Sequence, residues 1–274
     1  MSQPDFQPGS EGPSYGSFRD RIDAAAPPPE QEPARLGPVE RLIGTIFSPG
    51  ETFADVNRKP TWLVPILIAI VLSVGFSLFF QWRVNLDYEQ LVRDQIKKAT
   101  EARGQQMPPD DMIQQQVAVT KVISQVAPVV YPPVFCLIIA GIFALGLMLL
   151  SAQTTFKKIL SVAAWSNTAT SLVYLIVAVA SLMVRDPTTV DPTQPGGIAA
   201  TNLGAFIPVE SSGLRAMLGA IDIFTIWFLI LLSIGFAVIS GTKRMTASKT
   251  GTLVFGLWAV WLIIRAGTGA FFGG

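Results

Sequence analysis

Residues 62–80, WLVPILIAIVLSVGFSLFF, decide the fold of this chain. The stretch contains no charged side chain, and Trp62 and Trp82 lie near its two ends. A helix rises about 1.5 Å per residue, so about 20 apolar residues cross a hydrocarbon core about 30 Å thick. Tryptophan at both ends is typical of the boundary between lipid and water. The stretch therefore predicts a transmembrane helix.

Four more apolar stretches follow, at about residues 130–150, 159–184, 219–240 and 253–272. The composition agrees with a membrane protein, because 50% of the residues are hydrophobic and only 14% are charged, against about 25% charged in an ordinary globular protein. We therefore predict an all-α polytopic membrane protein with five transmembrane helices within residues 62–272. Pro128, Pro132 and Pro133 predict a broken turn before the second span, whose lipid-crossing part would begin near Val134.

The residues before the first span divide into two parts. Residues 1–37 are rich in proline and polar residues, which predicts a disordered tail. Residues 38–61 predict two amphipathic helices at the membrane interface, the second of which starts at Pro49 and buries Phe53 and Val56. The alternative is a pair of soluble helices packed on a neighbouring domain. The apolar face predicted for the first helix consists of Val39, Leu42, Ile43, Ile46 and Phe47.

Two longer connections between spans differ in character. Residues 82–125 predict a helical hairpin outside the membrane, because Glu89 and Arg93 are oppositely charged and four residues apart, and Gly104 ends the first helix. Residues 185–213 are rich in Pro, Thr and Gly without a period. They predict an exposed loop.

Basic residues in the short connections predict the orientation, because cytoplasmic loops are enriched in Lys and Arg. Lys157 and Lys158 lie between spans two and three, and Lys243, Arg244 and Lys249 lie between spans four and five. Both loops would share a side with the N-terminal tail. The N-terminus is therefore predicted to be cytoplasmic and the C-terminus to lie on the opposite side, in the inner membrane if the protein is bacterial.

Four short segments stand in a fixed order around the predicted spans: residues 42–53 (LIGTIFSPGETF), 58–62 (RKPTW), 155–160 (TFKKIL) and 222–227 (DIFTIW). In order and spacing they resemble the bacterial branch of the Yip (Ypt-interacting protein) family, over about residues 38–270. The resemblance implies a five-helix membrane bundle with a cytosolic N-terminus. This topology agrees with the one that the basic residues predict.

The resemblance also suggests partners. Eukaryotic relatives associate with Rab-type GTPases and with one another in vesicle traffic. The acidic-aromatic motif that they place ahead of the first span has no counterpart in residues 1–61, and the third span reads AAWSNT at residues 163–168, where members often have a proline. GTPase binding is therefore doubtful for this chain.

The composition excludes several kinds of chemistry. The chain has no histidine and one cysteine, so it can form no disulfide within itself, no Cys/His zinc site and no Ser-His-Asp triad. Its net charge of +1 gives no reason to expect a nucleic acid as partner. We predict no catalytic residue, no metal site and no cofactor.

Ionisable residues inside predicted spans are the first functional candidates. Asp222 and Arg265 are such residues, in spans four and five. We predict that they form an ion pair that fixes the packing of the two helices; the alternative is that Arg265 extends alone to the interface and Asp222 caps its helix. Asn167, Ser166 and Thr170 on span three are candidates for a solute path or for contacts between helices.

These observations favour a non-enzymatic scaffold or partner-binding protein in membrane organisation or trafficking. Its partners would be the lipid bilayer and other membrane proteins or further copies of this chain. The alternative is a small solute transporter or channel with a path through spans three to five, on which Asn167, Asp222 and Arg265 would lie.

Overall fold

The structure, a computed structural model, describes residues 34–192, 194, 196–209, 211–241 and 245–272. Residues 1–33 of the predicted tail, together with Lys243 and Arg244, lie outside the described residues. The described part is helical, as predicted. Its β-type backbone pairing is limited to an isolated antiparallel bridge between Asn202 and Asp222. The helices are α1 (Pro38–Phe47), α2 (Pro49–Arg58), α3 (Leu63–Val84), α4 (Tyr88–Ala102), α5 (Asp110–Leu149), α6 (Phe156–Val184), α7 (Ser212–Ala220), α8 (Ile223–Ile239) and α9 (Ala247–Phe272).

Four of the described helices are long and apolar enough to cross a membrane: α3, α5, α6 and α9. Only 17% to 33% of the residues in their most apolar stretches are buried inside the protein. A soluble protein rarely exposes apolar side chains on this scale, so the exposed surface of the bundle fits lipid rather than water. α8 is also apolar but has only 17 residues.

Helix α5 runs without interruption through Pro128, Pro132 and Pro133. The expected broken turn before span two is therefore wrong. Proline withholds one backbone donor, but transmembrane helices tolerate it where neighbouring helices support the turn. Pro132 is buried, and the stacked rings of Tyr131 and Phe135, 5.5 Å apart, bridge the same turn. With 40 residues, α5 is about 60 Å long, so about half of it extends beyond a hydrocarbon core.

Helix α4 packs against the extended half of α5 and forms a hairpin with it. A small apolar core joins the two helices through Val92, Ile113 and Val117. On the surface, the Arg93 guanidinium bridges Glu89 at 2.9 Å and Asp110 at 2.6 Å. We call this end of the bundle the hairpin end.

Helices α1 and α2 lie at the opposite end, which we call the α2 end. α2 packs on α8 and α6 and buries Phe53 and Val56 completely, as predicted. At the same end, the backbone N–H of Gln153, in the turn after α5, donates to the Ser240 carbonyl at the end of α8. The two short turns predicted to share a side of the membrane are therefore neighbours.

Helix α1 presents its polar side to the protein and its apolar side outward. Arg41 and Thr45 are 3% and 0% exposed, whereas Val39, Ile43 and Phe47 are 67%, 51% and 79% exposed. The outward residues are spaced by four and form one stripe. Leu42 and Ile46, also expected on the apolar face, are half-buried.

The segment between α6 and α8 is more ordered than a plain loop. It contains two short 3₁₀ turns, Pro187–Thr189 and Leu203–Ala205, and the separate helix α7. The Arg185 guanidinium ties it to the end of α6 by donating to the Gly197 carbonyl at 2.9 Å. α7 lies against α9 so closely that a Cβ on Gly269 would come 2.9 Å from that of Ala216.

Candidate functional site

A cavity of about 900 Å³ lies between α3, α5, α6, α8 and α9. Its wall near the hairpin end carries Tyr174, Asp222 and Arg265. Its wall toward the α2 end is apolar and includes Phe143, Leu232 and Val254, which are themselves buried. The cavity thus has one polar and charged end and one apolar end.

Asp222 is placed at the polar end by the first turn of α8. Its carboxylate caps the helix by accepting hydrogen bonds from the backbone N–H groups of Phe224 at 2.7 Å and Thr225 at 3.3 Å. The Thr201 hydroxyl donates to the other carboxylate oxygen. A carboxylate is well placed at a helix N-terminus, where the unpaired N–H groups and the helix dipole stabilise its negative charge.

Arg265 is placed at the same end of the cavity by α9. Its Nε donates to the Ala216 carbonyl of α7 at 3.0 Å, and its guanidinium carbon lies 5.3 Å from the centroid of the Trp261 ring. The cavity therefore brings Asp222 and Arg265 to one end, but each side chain has contacts of its own. The predicted ion pair between them stays a prediction.

The three polar candidates on α6 have separate environments. Asn167 and Thr170 line the cavity. Ser166 is completely buried among the helices and is not part of the cavity wall. The hydroxyl oxygens of Ser166 and Thr170 are both buried without a hydrogen-bond partner among the described residues.

Sequence reasoning missed the polar contacts that join the helices. The Thr168 hydroxyl on α6 donates to the Pro65 carbonyl on α3 at 2.8 Å. The Thr250 hydroxyl on α9 donates to the Ser233 carbonyl on α8 at 2.6 Å. Threonine inside an apolar helix is the signal that could have indicated such contacts, although it does not name the partner helix.

Sequence reasoning also missed a buried ion pair at the α2 end. Arg41 donates from Nε and Nη2 to the same Asp55 carboxylate oxygen at 2.9 and 2.7 Å, and both side chains are only 4% exposed. The other donors of Arg41 reach the Lys59 carbonyl and the Thr61 hydroxyl, and the Arg35 backbone N–H donates to the second oxygen of Asp55. The sequence signal was a single basic residue, Arg41, in α1, with Glu51 and Asp55 as the two acidic candidates around Phe53 in α2.

The hydrogen bonds to Asp55 determine its ionisation. Burial raises the pKa of the Asp55 carboxyl, but the Arg35 backbone N–H and the Arg41 guanidinium together outweigh burial and hold the pKa below its ordinary value of 3.8. Asp55 is therefore a carboxylate at neutral pH. Because its charge is matched within the same cluster, the pair holds α1 against α2 and α3 rather than serving a ligand.

No group of three or more His, Cys, Asp and Glu side chains is arranged to hold a metal ion among the described residues. Cys136 is buried in the apolar core, an environment that disfavours a thiolate.

Comparison with known proteins identifies the family. The Yip1 domain model matches residues 43–266, which include α3, α5, α6, α8 and the cavity. The chain is also similar to a curated protein, the membrane protein YknW of Bacillus subtilis (strain 168), with 27% identity over 221 residues that cover 80% of this chain and 87% of YknW. No solved structure matches. The match covers most of the chain and agrees with the apolar helical bundle. The protein therefore belongs to the Yip1 domain family of membrane proteins.

Proposed function

We propose that this protein is a non-enzymatic membrane scaffold that binds other membrane proteins, with its N-terminus in the cytoplasm and five helices across the bilayer. The proposal has three parts: the number of spans, the orientation and the binding role. Each part depends on a different feature of the molecule.

The fifth span is α8, which has 17 residues and is flanked at its start by the capping carboxylate of Asp222. Its length of about 26 Å falls just short of a hydrocarbon core of about 30 Å. α8 is packed on both sides by α9 and α6, and Leu231, Leu232 and Phe236 are completely buried. A helix that is shielded by its neighbours can be shorter than one that faces lipid along its whole length.

The orientation is supported by the shared location of basic residues. Arg58 and Lys59 end α2, and Lys157 and Lys158 begin α6, all at the α2 end of the bundle. Because positive charge near the ends of spans favours the cytoplasmic side, the α2 end would face the cytoplasm. The hairpin end would then face the opposite side.

The single observation that carries the binding role is the outward stripe of α1, formed by Val39, Ile43 and Phe47. α1 is held rigidly by the buried pair of Arg41 and Asp55, so the stripe cannot turn inward without breaking that pair. The chain enters α3 through Trp62 only a few residues after α2, which keeps α1 at membrane level. The stripe would therefore lie in the cytoplasmic leaflet and meet partners there.

Crosslinking in native membranes tests the binding role. A photoreactive residue replaces Phe47 in the full-length protein, and crosslinked partners are purified and identified. We expect a discrete protein complex, which the further change Ile43→Asp abolishes because a buried carboxylate is costly in the leaflet. Ile43→Leu is the matched control and keeps the complex. Recovery of lipid adducts alone, or a complex that survives Ile43→Asp, contradicts the role.

A second candidate function, solute transport, is favoured by the cavity, which Asn167, Asp222 and Arg265 line together. The apolar wall of Phe143, Leu232 and Val254 opposes it, because a polar solute would have to cross this wall without hydrogen bonds. Solute flux into proteoliposomes distinguishes the two functions. Flux that Asp222→Ala abolishes would establish transport in place of the scaffold role; we expect no flux.

A further inference from the structure

Between α5 and α9, part of the cavity wall consists of residues that are also exposed on the surface of the bundle. The two helices meet at the α2 end, where a Cβ on Gly146 would lie 3.0 Å from the side chain of Leu253. Further toward the hairpin end they diverge, and the cavity-lining residues Ile138 and Trp261 are 55% and 44% exposed. Both lie within apolar helices that are long enough to cross a membrane, so this side of the cavity borders the surface that lipid would cover.

Two polar atoms on the wall of this cavity have no partner. Thr170 is only 8% exposed, and its hydroxyl oxygen accepts and donates no hydrogen bond among the described residues. The indole Nε1 of Trp258 is likewise buried without a partner. An unpaired buried polar group is costly, and both side chains must turn before they can pair with an occupant of the cavity.

The charged end of the cavity favours an anionic group. The Asp222 charge is compensated by three donors and by the N-terminus of α8. The Arg265 guanidinium contacts a neutral carbonyl and an aromatic ring, and no described carboxylate forms a salt bridge with it. An arginine inside a membrane is strongly stabilised by an anion that it can meet at close range.

The cavity volume limits the size of the occupant. At about 30 Å³ for each non-hydrogen atom, close to the share of one molecule in liquid water, a cavity of about 900 Å³ holds about 30 such atoms. Counted in this way, a long-chain fatty acid, with about 20 atoms, fits entirely within the cavity, whereas a two-chain phospholipid, with about 50, would extend out of it.

We propose that the cavity binds a long-chain fatty acid from the bilayer, whose carboxylate pairs with Arg265 and whose chain lies against the apolar wall of Phe143, Leu232 and Val254. The chain enters sideways through the gap between α5 and α9, past Trp261. This ligand site does not depend on which proteins the α1 stripe contacts.

Photolabelling with two matched lipids tests the proposal. The full-length protein is reconstituted in phosphatidylcholine vesicles with a long-chain fatty acid that carries a diazirine in mid-chain, or with the fatty alcohol of the same chain. Labelled peptides are mapped by mass spectrometry. We expect fatty-acid labels on the cavity-lining residues of α5 and α9, in competition with unlabelled fatty acid. The alcohol should label them about tenfold less, because it lacks the charge-assisted bond to Arg265.

Variants distinguish labelling inside the cavity from labelling of the lipid-facing surface. Arg265→Gln should lower fatty-acid labelling to the level of the alcohol and leave alcohol labelling unchanged, which also reports that the variant is folded. Ala69→Phe fills the cavity and should abolish both labels there. Leu145→Phe, on an exposed residue outside the cavity, is the matched control and should change neither.

Two results would overturn the proposal. One is labelling that is spread over all exposed apolar residues and is not reduced by unlabelled fatty acid. The other is equal labelling by acid and alcohol in the unchanged protein. If Ala69→Phe does not fold, Arg265→Gln and the competition decide the question.

Discussion

The two ends of the bundle differ in how their charged side chains are arranged. At the α2 end, Arg41 and Asp55 are 4% exposed, meet at 2.7 Å and have their remaining polar atoms occupied by the backbone and Thr61. At the hairpin end, Asp222 and Arg265 line a cavity; Asp222 is held by the first turn of α8 and by Thr201, and Arg265 by the Ala216 carbonyl. The first arrangement fixes structure, because it leaves nothing for a ligand to contact. The second leaves a cation beside an open volume, as a binding site requires.

The largest expected effect tests the α2 end. Arg41→Leu leaves the Asp55 carboxylate buried without its partner, and we expect it to lower the free energy of unfolding by about 3–5 kcal/mol. Denaturant unfolding in detergent micelles measures this change. The double variant Arg41→Leu/Asp55→Leu should recover much of the loss, because it removes both charges.

The matched control for that change is Arg93→Leu in the hairpin. Arg93 also contacts two carboxylates, Glu89 and Asp110, but its side chain is 37% exposed. Water can replace these contacts, so the midpoint of unfolding should hardly change. Equal losses for Arg41→Leu and Arg93→Leu would show that burial does not distinguish the two arginines.

Exchanging the charges of Asp222 and Arg265 tests the hairpin end, and we expect an intermediate effect on the free energy of unfolding. Asp222→Arg removes the cap of α8, and the loss of such a cap lowers stability by about 0.5–2 kcal/mol. Asp222 and Arg265 have separate partners, so the two single changes should act independently. We therefore expect the loss of unfolding free energy in Asp222→Arg/Arg265→Asp to equal the sum of the losses in the two single variants. Expression level and unfolding free energy provide the measurement. Recovery in the double variant would instead establish the ion pair predicted from the sequence.

The smallest expected effect concerns pH. The pKa of Asp55 in the folded protein lies below its ordinary value of 3.8. A carboxyl group with a lowered pKa stabilises the fold above that ordinary value, and this stability is lost as the pH falls through the folded-state pKa. The unfolding free energy should therefore decrease more steeply below about pH 4 in the unchanged protein than in Arg41→Leu/Asp55→Leu. Parallel pH profiles would contradict this assignment.

The long apolar helices α3, α6 and α9 could be predicted because each is specified by its own residues. The stretch of residues 62–80 is apolar whatever surrounds it, and the structure places α3 there. The same local reasoning failed at Pro132. A proline weakens a helix locally, but its burial between neighbouring helices and the stacked Tyr131 and Phe135 keep α5 continuous.

The amphipathic pattern of α1 predicted an apolar face but not its direction. Val39, Ile43 and Phe47 share a side of the helix by spacing alone, and in a soluble protein that side would turn toward the core. The structure turns it outward, because the buried contact of Arg41 with Asp55 determines how α1 rotates. The partner of Arg41 is 14 residues away in the chain, so no local pattern reveals it.

By itself, the sequence determined that the chain is helical, where most of its long apolar helices lie, and that the chemistry of histidine is absent. Hydropathy and helical spacing are properties of consecutive residues, so they can be read along the chain. Only the tertiary structure decided that Asp222, Arg265 and Thr170 border one cavity and that Arg41 meets Asp55. Such contacts depend on the angles and distances at which whole helices pack, and many distant residues set these together.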